Sequence, residues 1–139
     1  EGDNPANIEY YSNGNIQFEK YYSNGELHRE DDKPAFIKYH KNCNIQLEYY
    51  YLNGKIHREG DKPAVVQYYP NGQIKYLSYL LIGKTHRLDN PAVIEYYENG
   101  NIQYEQYRLN GKMHREGDKP AYIQYDVNGN IKIEEYHLN

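Results

Sequence analysis

Every alanine in this chain follows a proline, and the five pairs Pro5-Ala6, Pro34-Ala35, Pro63-Ala64, Pro91-Ala92 and Pro120-Ala121 stand 29, 29, 28 and 29 residues apart. A chain that copies itself at a fixed period must be read as an array of supersecondary units before it is read as a domain. Residues 1–139 therefore form a single repeat array, with units starting near Pro5, Pro34, Pro63, Pro91 and Pro120. Aligned on the pair, the unit runs P-A-x-I-x-Y-Y-x-N-G-N-I-x-Y-E-x-Y-x-L-N-G-K-x-H-R-E-G-D-K. The fourth join is one residue short because Leu88-Asp89-Asn90 replaces Glu-Gly-Asp-Lys. The opening EGDNPA matches the EGDKPA of 59–64 and 116–121, and the closing YHLN matches YRLN of 107–110, so we expect a piece of a longer array.

Each full unit carries two turn signals, as at Asn13-Gly14 and Asn24-Gly25, with Asn42-Cys43 and Ile82-Gly83 as degenerate copies. Asn-Gly between β-prone runs marks a hairpin, because both residues tolerate the positive φ of a type I′ turn. No segment sustains a helical period. The expected fold is all-β: an elongated array of antiparallel β-hairpins with about two long strands per 29-residue unit.

The strand after each proline alternates, with Ala6, Ile8 and Tyr10 on a constant face and Asn7, Glu9, Phe36 and Lys38 in variable columns. The constant face is expected to be the packed one, with Tyr10, Tyr39, Tyr68, Tyr96 and Tyr125 in it. On the second strand Ile16 and Tyr21 are an odd distance apart. Either a bulge near Glu19 restores the phase or both faces are covered, and the bulge is the favoured reading. Three strands per unit would reverse every second copy in a meander. The Lys55–Arg58 run and the next Pro-Ala strand are therefore expected to be two arms of one strand bent at the proline. Each unit would then advance about 10 Å.

Leu, Ile, Val and Phe make up just under a fifth of the residues, and the 19 tyrosines supply the missing apolar surface. A net charge of −4 with interspersed signs offers no basic stripe, which disfavours nucleic acid and anionic membrane surfaces as partners. The single cysteine, Cys43, excludes an intrachain disulfide and any cysteine-based zinc site. No run of about 20 apolar residues is present to span a bilayer, nor does a charged-then-apolar signal segment open the chain. These features leave the compartment open.

The residues Asn53-Gly54-Lys55-Ile56-His57-Arg58-Glu59 and Glu95-Tyr96-Tyr97-Glu98-Asn99-Gly100-Asn101-Ile102 resemble the MORN-variant repeats of giant-virus (Mimivirus-like) and some bacterial and phage repeat proteins. The resemblance spans the whole chain, but the Gly-Trp signature of ordinary MORN units, roughly 23 residues long, is missing from a sequence without tryptophan. It implies an extended sheet of stacked hairpins and an interaction scaffold.

The recurring polar residues are His28-Arg29, His57-Arg58, His86-Arg87 and His114-Arg115, each followed by an aspartate before the proline (Asp32, Asp61, Asp89, Asp118, with Asp3 as the first copy). Histidine, arginine and aspartate together suit acid-base chemistry. An active site, however, joins dissimilar single-copy groups, whereas these recur once per unit as a structural ladder would. Units about 10 Å apart cannot share a metal whose histidine ligands sit near 2.1 Å. No catalytic residue, metal or cofactor is expected. His40 and Cys43 lie close in sequence, but the other copies replace the cysteine with glycine, so a Cys/His nucleophile is disfavoured.

Tyr11, His40, Tyr69 and Tyr97 share a column predicted to point outward as a partly aromatic row, with Asp126 as its last member. Such a row contacts a protein or a sugar ring, or packs across strands. Three functions follow for testing: a non-enzymatic scaffold for protein-protein interaction or assembly, a carbohydrate-binding module using the outward tyrosines, and a hydrolase using a histidine column.

Overall fold

The computed structural model describes residues 4–137. Asp3 and the last two residues, which the repeat alignment also used, lie outside the described residues.

The first unit contains β1 (Asn7–Tyr10), β2 (Ile16–Lys20), β3 (Tyr22–Ser23) and β4 (Glu26–Leu27). The second contains β5 (Phe36–Tyr39), β6 (Ile45–Tyr49), β7 (Tyr51–Leu52) and β8 (Lys55–Ile56). The third has β9 (Val65–Tyr68), β10 (Ile74–Ser78), β11 (Leu80–Leu81) and β12 (Lys84–Thr85), and the fourth β13 (Val93–Tyr96), β14 (Ile102–Gln106), β15 (Arg108–Leu109) and β16 (Lys112–Met113). β17 (Tyr122–Tyr125) and β18 (Ile131–Glu135) follow. The two longer strands of each unit join one ten-stranded antiparallel sheet, and the two short ones pair only with each other.

Two long strands per unit preserve the parity that identical stacking requires. The bent-strand reading is corrected, however: the Lys55–Ile56 run pairs with Tyr51–Leu52 in a hairpin of its own, outside the sheet. Proline explains the exit. The sheet ladder extends one residue beyond the strands, through Ala35 N–H to Tyr49 O at 2.9 Å and Tyr21 N–H to Ala35 O at 2.8 Å. Pro34 has no N–H with which to continue it.

The two turn signals of each unit adopt different conformations. In the first, Gly14 lies at φ 86°, and Tyr11 N–H bonds Asn15 O at 2.8 Å across a three-residue loop ending in a left-handed glycine. In the second, Asn24 (51°) and Gly25 (80°) both have positive φ, as the two-residue type I′ turn demands. Only the second turn is therefore the type the sequence suggested for both. Cys43, at φ 69°, occupies the glycine position of the first turn, and Ile82, at 47°, the asparagine position of the second.

A bulge is present, at Gln17 rather than at Glu19. Glu9 pairs with Phe18 and Tyr10 with Ile16, leaving Gln17 as the extra residue, and β5, β9, β13 and β17 show the same shift against their partners. This inserted residue puts Ile16 and Tyr21 on the face of Ala6 and Ile8. Ala35, Ala64, Ala92 and Ala121 are fully buried there, whereas Ala6 on the first strand is exposed, and Tyr50, Ala64 and Val66 form one core cluster, with Ile56, Tyr68, Leu77 and Leu80 against it. The variable face is also covered mid-array: Val65, Ser78 and Val93 are buried in one cross-strand row that also contains Phe36 and Tyr49. The expected tyrosine column joins the core only in part: Tyr39 and Tyr68 pack half-buried against it. Tyr21, Tyr50, Tyr79 and Tyr107 are the buried tyrosines, whereas the Tyr10 column is at most half-buried, with Tyr10 itself 56% exposed.

A single sheet leaves much surface in solvent. The accessible area is 8514 Å², against roughly 7600 Å² for a compact monomer of this mass.

Candidate functional site

Where the chain leaves the sheet, each of the first four units stacks its arginine on the buried tyrosine and bonds it to the next proline carbonyl, and the second unit shows the fullest set of contacts. Tyr50 directly follows β6 with its ring buried, and the Arg58 guanidinium lies 3.6 Å from the ring centroid, the cation over the aromatic face. Arg58 also donates from Nη1 to Pro63 O at 3.1 Å, and from Nε and Nη2 to the two carboxylate oxygens of Asp32 at 2.7 and 3.2 Å. Lys62 Nζ reaches Asp32 Oδ2 at 2.6 Å. Held by both cations, the Asp32 carboxyl is pulled down to about 2, chiefly by its hydrogen bond from Arg58. Arg87 repeats the pattern on Tyr79, Pro91 O and Asp61, and it holds the Asp61 carboxyl below the usual range. Arg29 stacks on Tyr21 and bonds Pro34 O, and Arg115 does the same with Tyr107 and Pro120 O.

The histidines face the next unit. Nδ1 of His28, His57 and His86 accepts the backbone N–H of Asn53, Ile82 and Asn110, at 3.3, 3.1 and 3.2 Å. Each accepted hydrogen bond assigns the proton of the neutral ring to Nε2, and on His28 that nitrogen meets Glu30 Oε1 at 2.7 Å. Beside them, Gly54, Gly83 and Gly111 donate their N–H to Leu27 O, Ile56 O and Thr85 O of the preceding small hairpin. The ring nitrogen that a metal ion would need is therefore already engaged, and among the described residues no three His, Cys, Asp or Glu side chains gather at a possible metal site.

The row expected to point outward runs along the array. Tyr11 donates its hydroxyl to Tyr39 O at 2.7 Å, Tyr69 to Tyr96 O at 2.7 Å and Tyr97 to Tyr125 O at 2.9 Å, while His40 Nε2 meets Tyr68 O at 3.1 Å. All four side chains are half-buried. Asparagines lengthen this seam, with Asn44 and Asn101 amides donating to Pro70 O and Val127 O. Asp126 instead accepts from the N–H groups of Asn128 and Asn130 in its own turn. Cys43 is exposed, and the His40 ring is directed to Tyr68 O rather than to its thiol.

Sequence reasoning missed the Tyr-Arg stack and the Arg-Asp pair between units. The available signal was that tyrosine, arginine and aspartate recur in register, with Asp32 and Arg58 at the same separation, 26 residues, as Asp61 and Arg87.

Fold and seams define a β-hairpin repeat array whose constant polar groups bind one unit to the next. Three stretches, residues 7–24, 64–80 and 92–110, match the family profile described as MORN repeat variant. They cover the two sheet strands and the bulged turn between them, and none includes a His-Arg pair. No curated protein and no solved structure matches the chain.

Proposed function

We propose that the chain is a non-enzymatic scaffold for protein-protein interaction or structural assembly, in the giant-virus or bacterial setting its repeats resemble. One observation carries this reading: the recurring His, Arg and outward-column Tyr side chains are spent on contacts within and between units. Such groups are unavailable for general acid-base work, which needs a proton acceptor aimed at a substrate. Repeat arrays bind through extended surfaces instead, with identity supplied by the residues that vary between units.

The test is capture of a partner by the full chain, followed by direct binding with that partner purified. Charge changes in the variable columns, such as Lys38→Glu and Gln67→Lys, should weaken binding at least tenfold without altering the unfolding midpoint. Binding on a glycan array that is lost in Tyr69→Ala and Tyr97→Ala would replace this reading with the carbohydrate-binding one. Hydrolytic activity abolished by one His→Ala and untouched by the others would replace it with the enzymatic one.

A further inference from the structure

The three junctions between the second-hairpin edges of successive units, from the first to the fourth, share the histidine and glycine N–H bonds but differ in how the arginine is paired. At the first, Arg58 and Lys62 clamp the Asp32 carboxylate, and at the second Arg87 clamps that of Asp61. At the third, the loop from Arg87 to Pro91 is one residue shorter, so the aspartate that should reach forward, Asp89, meets no cation. Arg115 and Lys119, the counterparts of Arg58 and Lys62, line an open cavity of about 190 Å³ there, and among the described residues neither has a carboxylate partner. Arg115 is nevertheless preset. Its guanidinium is stacked 3.6 Å from the Tyr107 ring centroid and anchored to Pro120 O at 3.0 Å, leaving Nε and Nη2 to face a ligand as those of Arg58 face Asp32.

The geometry points to this cavity as a docking site for a carboxylate side chain of a partner polypeptide, bound by Arg115 and Lys119 as Asp32 is bound by Arg58 and Lys62. The inference deepens the scaffold reading by naming an anchor. Asp89 and Glu116 line the same cavity, so the site is not a general anion sink; a fork that accepts a carboxylate in two parallel bonds selects for shape as well as charge. Leu88 stands where the other units have glutamate. It is 66% exposed at the rim and offers an apolar contact to whatever flanks the carboxylate, which favours a peptide over a small acid.

The experiment follows the arginine Nε–H signals of the full chain by NMR during titration with a blocked Gly-Asp-Gly peptide, and with Gly-Asn-Gly as control. The Arg115 signal should shift and saturate with the aspartate peptide alone, while those of Arg58 and Arg87 stay still. Arg115→Gln should weaken binding at least tenfold, and Asp89→Asn, which removes one of the two competing charges in the cavity, should tighten it. A glycine inserted between Leu88 and Asp89 restores the common loop length, lets Asp89 reach Arg115, and should abolish binding in a chain that remains folded. Equal responses to both peptides, or equal shifts at all three arginines, would overturn the assignment. Concentration-dependent dimerisation lost in Arg115→Gln would show a second copy of this chain to be the occupant, overturning the partner reading. Because the probe is a peptide, failure here leaves partner capture by the whole array a separate result.

Discussion

Asp32 sits in an exposed turn at φ 54° and grips Arg58 of the following unit with both carboxylate oxygens, at 2.7 and 3.2 Å. This contact ties loop to loop outside the sheet, where backbone hydrogen bonds between units are few. Its acid dependence follows from sign. A carboxyl held at about 2 in the folded chain and near 4 in the unfolded one stabilises the fold above pH 4. That stability is lost as pH falls from about 4 to about 2. Because Asp32 is exposed, the pair contributes on the order of 0.5–1 kcal/mol. Urea titrations should show the Asp32→Asn variant less stable than the parent at pH 6, with the gap closing towards pH 2.

Two residues occupy left-handed positions unsuited to them. Cys43, at φ 69°, replaces a glycine, and Ile82, at φ 47°, is a β-branched residue replacing an asparagine and is 60% exposed. Cys43→Gly and Ile82→Asn should each stabilise the chain by about 0.5–1 kcal/mol, since such backbone strain is of this order and little burial is lost. A rise in thermal midpoint in both variants is the expected result.

Burial sorts the tyrosines. Tyr50 packs with Ala64 and Val66 under the Arg58 guanidinium, so Tyr50→Ala should cost about 3–5 kcal/mol, in the range of other aromatic truncations in cores. Exposed Tyr10 is the counterpart: Tyr10→Ala should cost less than about 1 kcal/mol. Chemical denaturation of the two variants separates the observed core from the one the strand alternation suggested.

That contrast shows what the sequence reveals. The period, the hairpins, the pairing parity and the need for a bulge were readable because turn chemistry and the two-residue alternation of strands are local. Placing the bulge at Gln17 was not, since Gln17 and Glu19 restore the phase of Ile16 and Tyr21 equally well. Nor was the direction of Tyr11, Tyr69 and Tyr97, because alternation predicts a face, while a hydroxyl half-buried at a strand end turns to the nearest free carbonyl, here on the next unit. The Arg-Asp seam joins residues that only the stacking of units brings together.

Alkali should dismantle the array in a defined window. Tyr39 and Tyr68 are pushed far above the ordinary phenol range, first by burial and then by their bonds to Glu19 and Glu48, and Tyr125 is pushed up to about 12 by burial beside Glu105. Phenols that ionise later when folded stabilise the fold up to about pH 10, and that contribution is lost as pH rises from there through their raised folded values. Ultraviolet titration should show Tyr39, Tyr68 and Tyr125 ionising only with unfolding, and Glu48→Gln should allow Tyr68 to ionise earlier.

The histidine rings test the central claim, that the repeated polar residues are ties between units. Long-range proton-nitrogen NMR of the imidazoles should find His28, His57 and His86 as neutral Nε2–H rings with Nδ1 accepting a hydrogen bond. The N–H groups of Asn53, Ile82 and Asn110 should be protected from hydrogen exchange, and each should lose protection when its own histidine is changed to alanine. Rings that exchange tautomers freely, beside turn amides that exchange at unprotected rates, would contradict it.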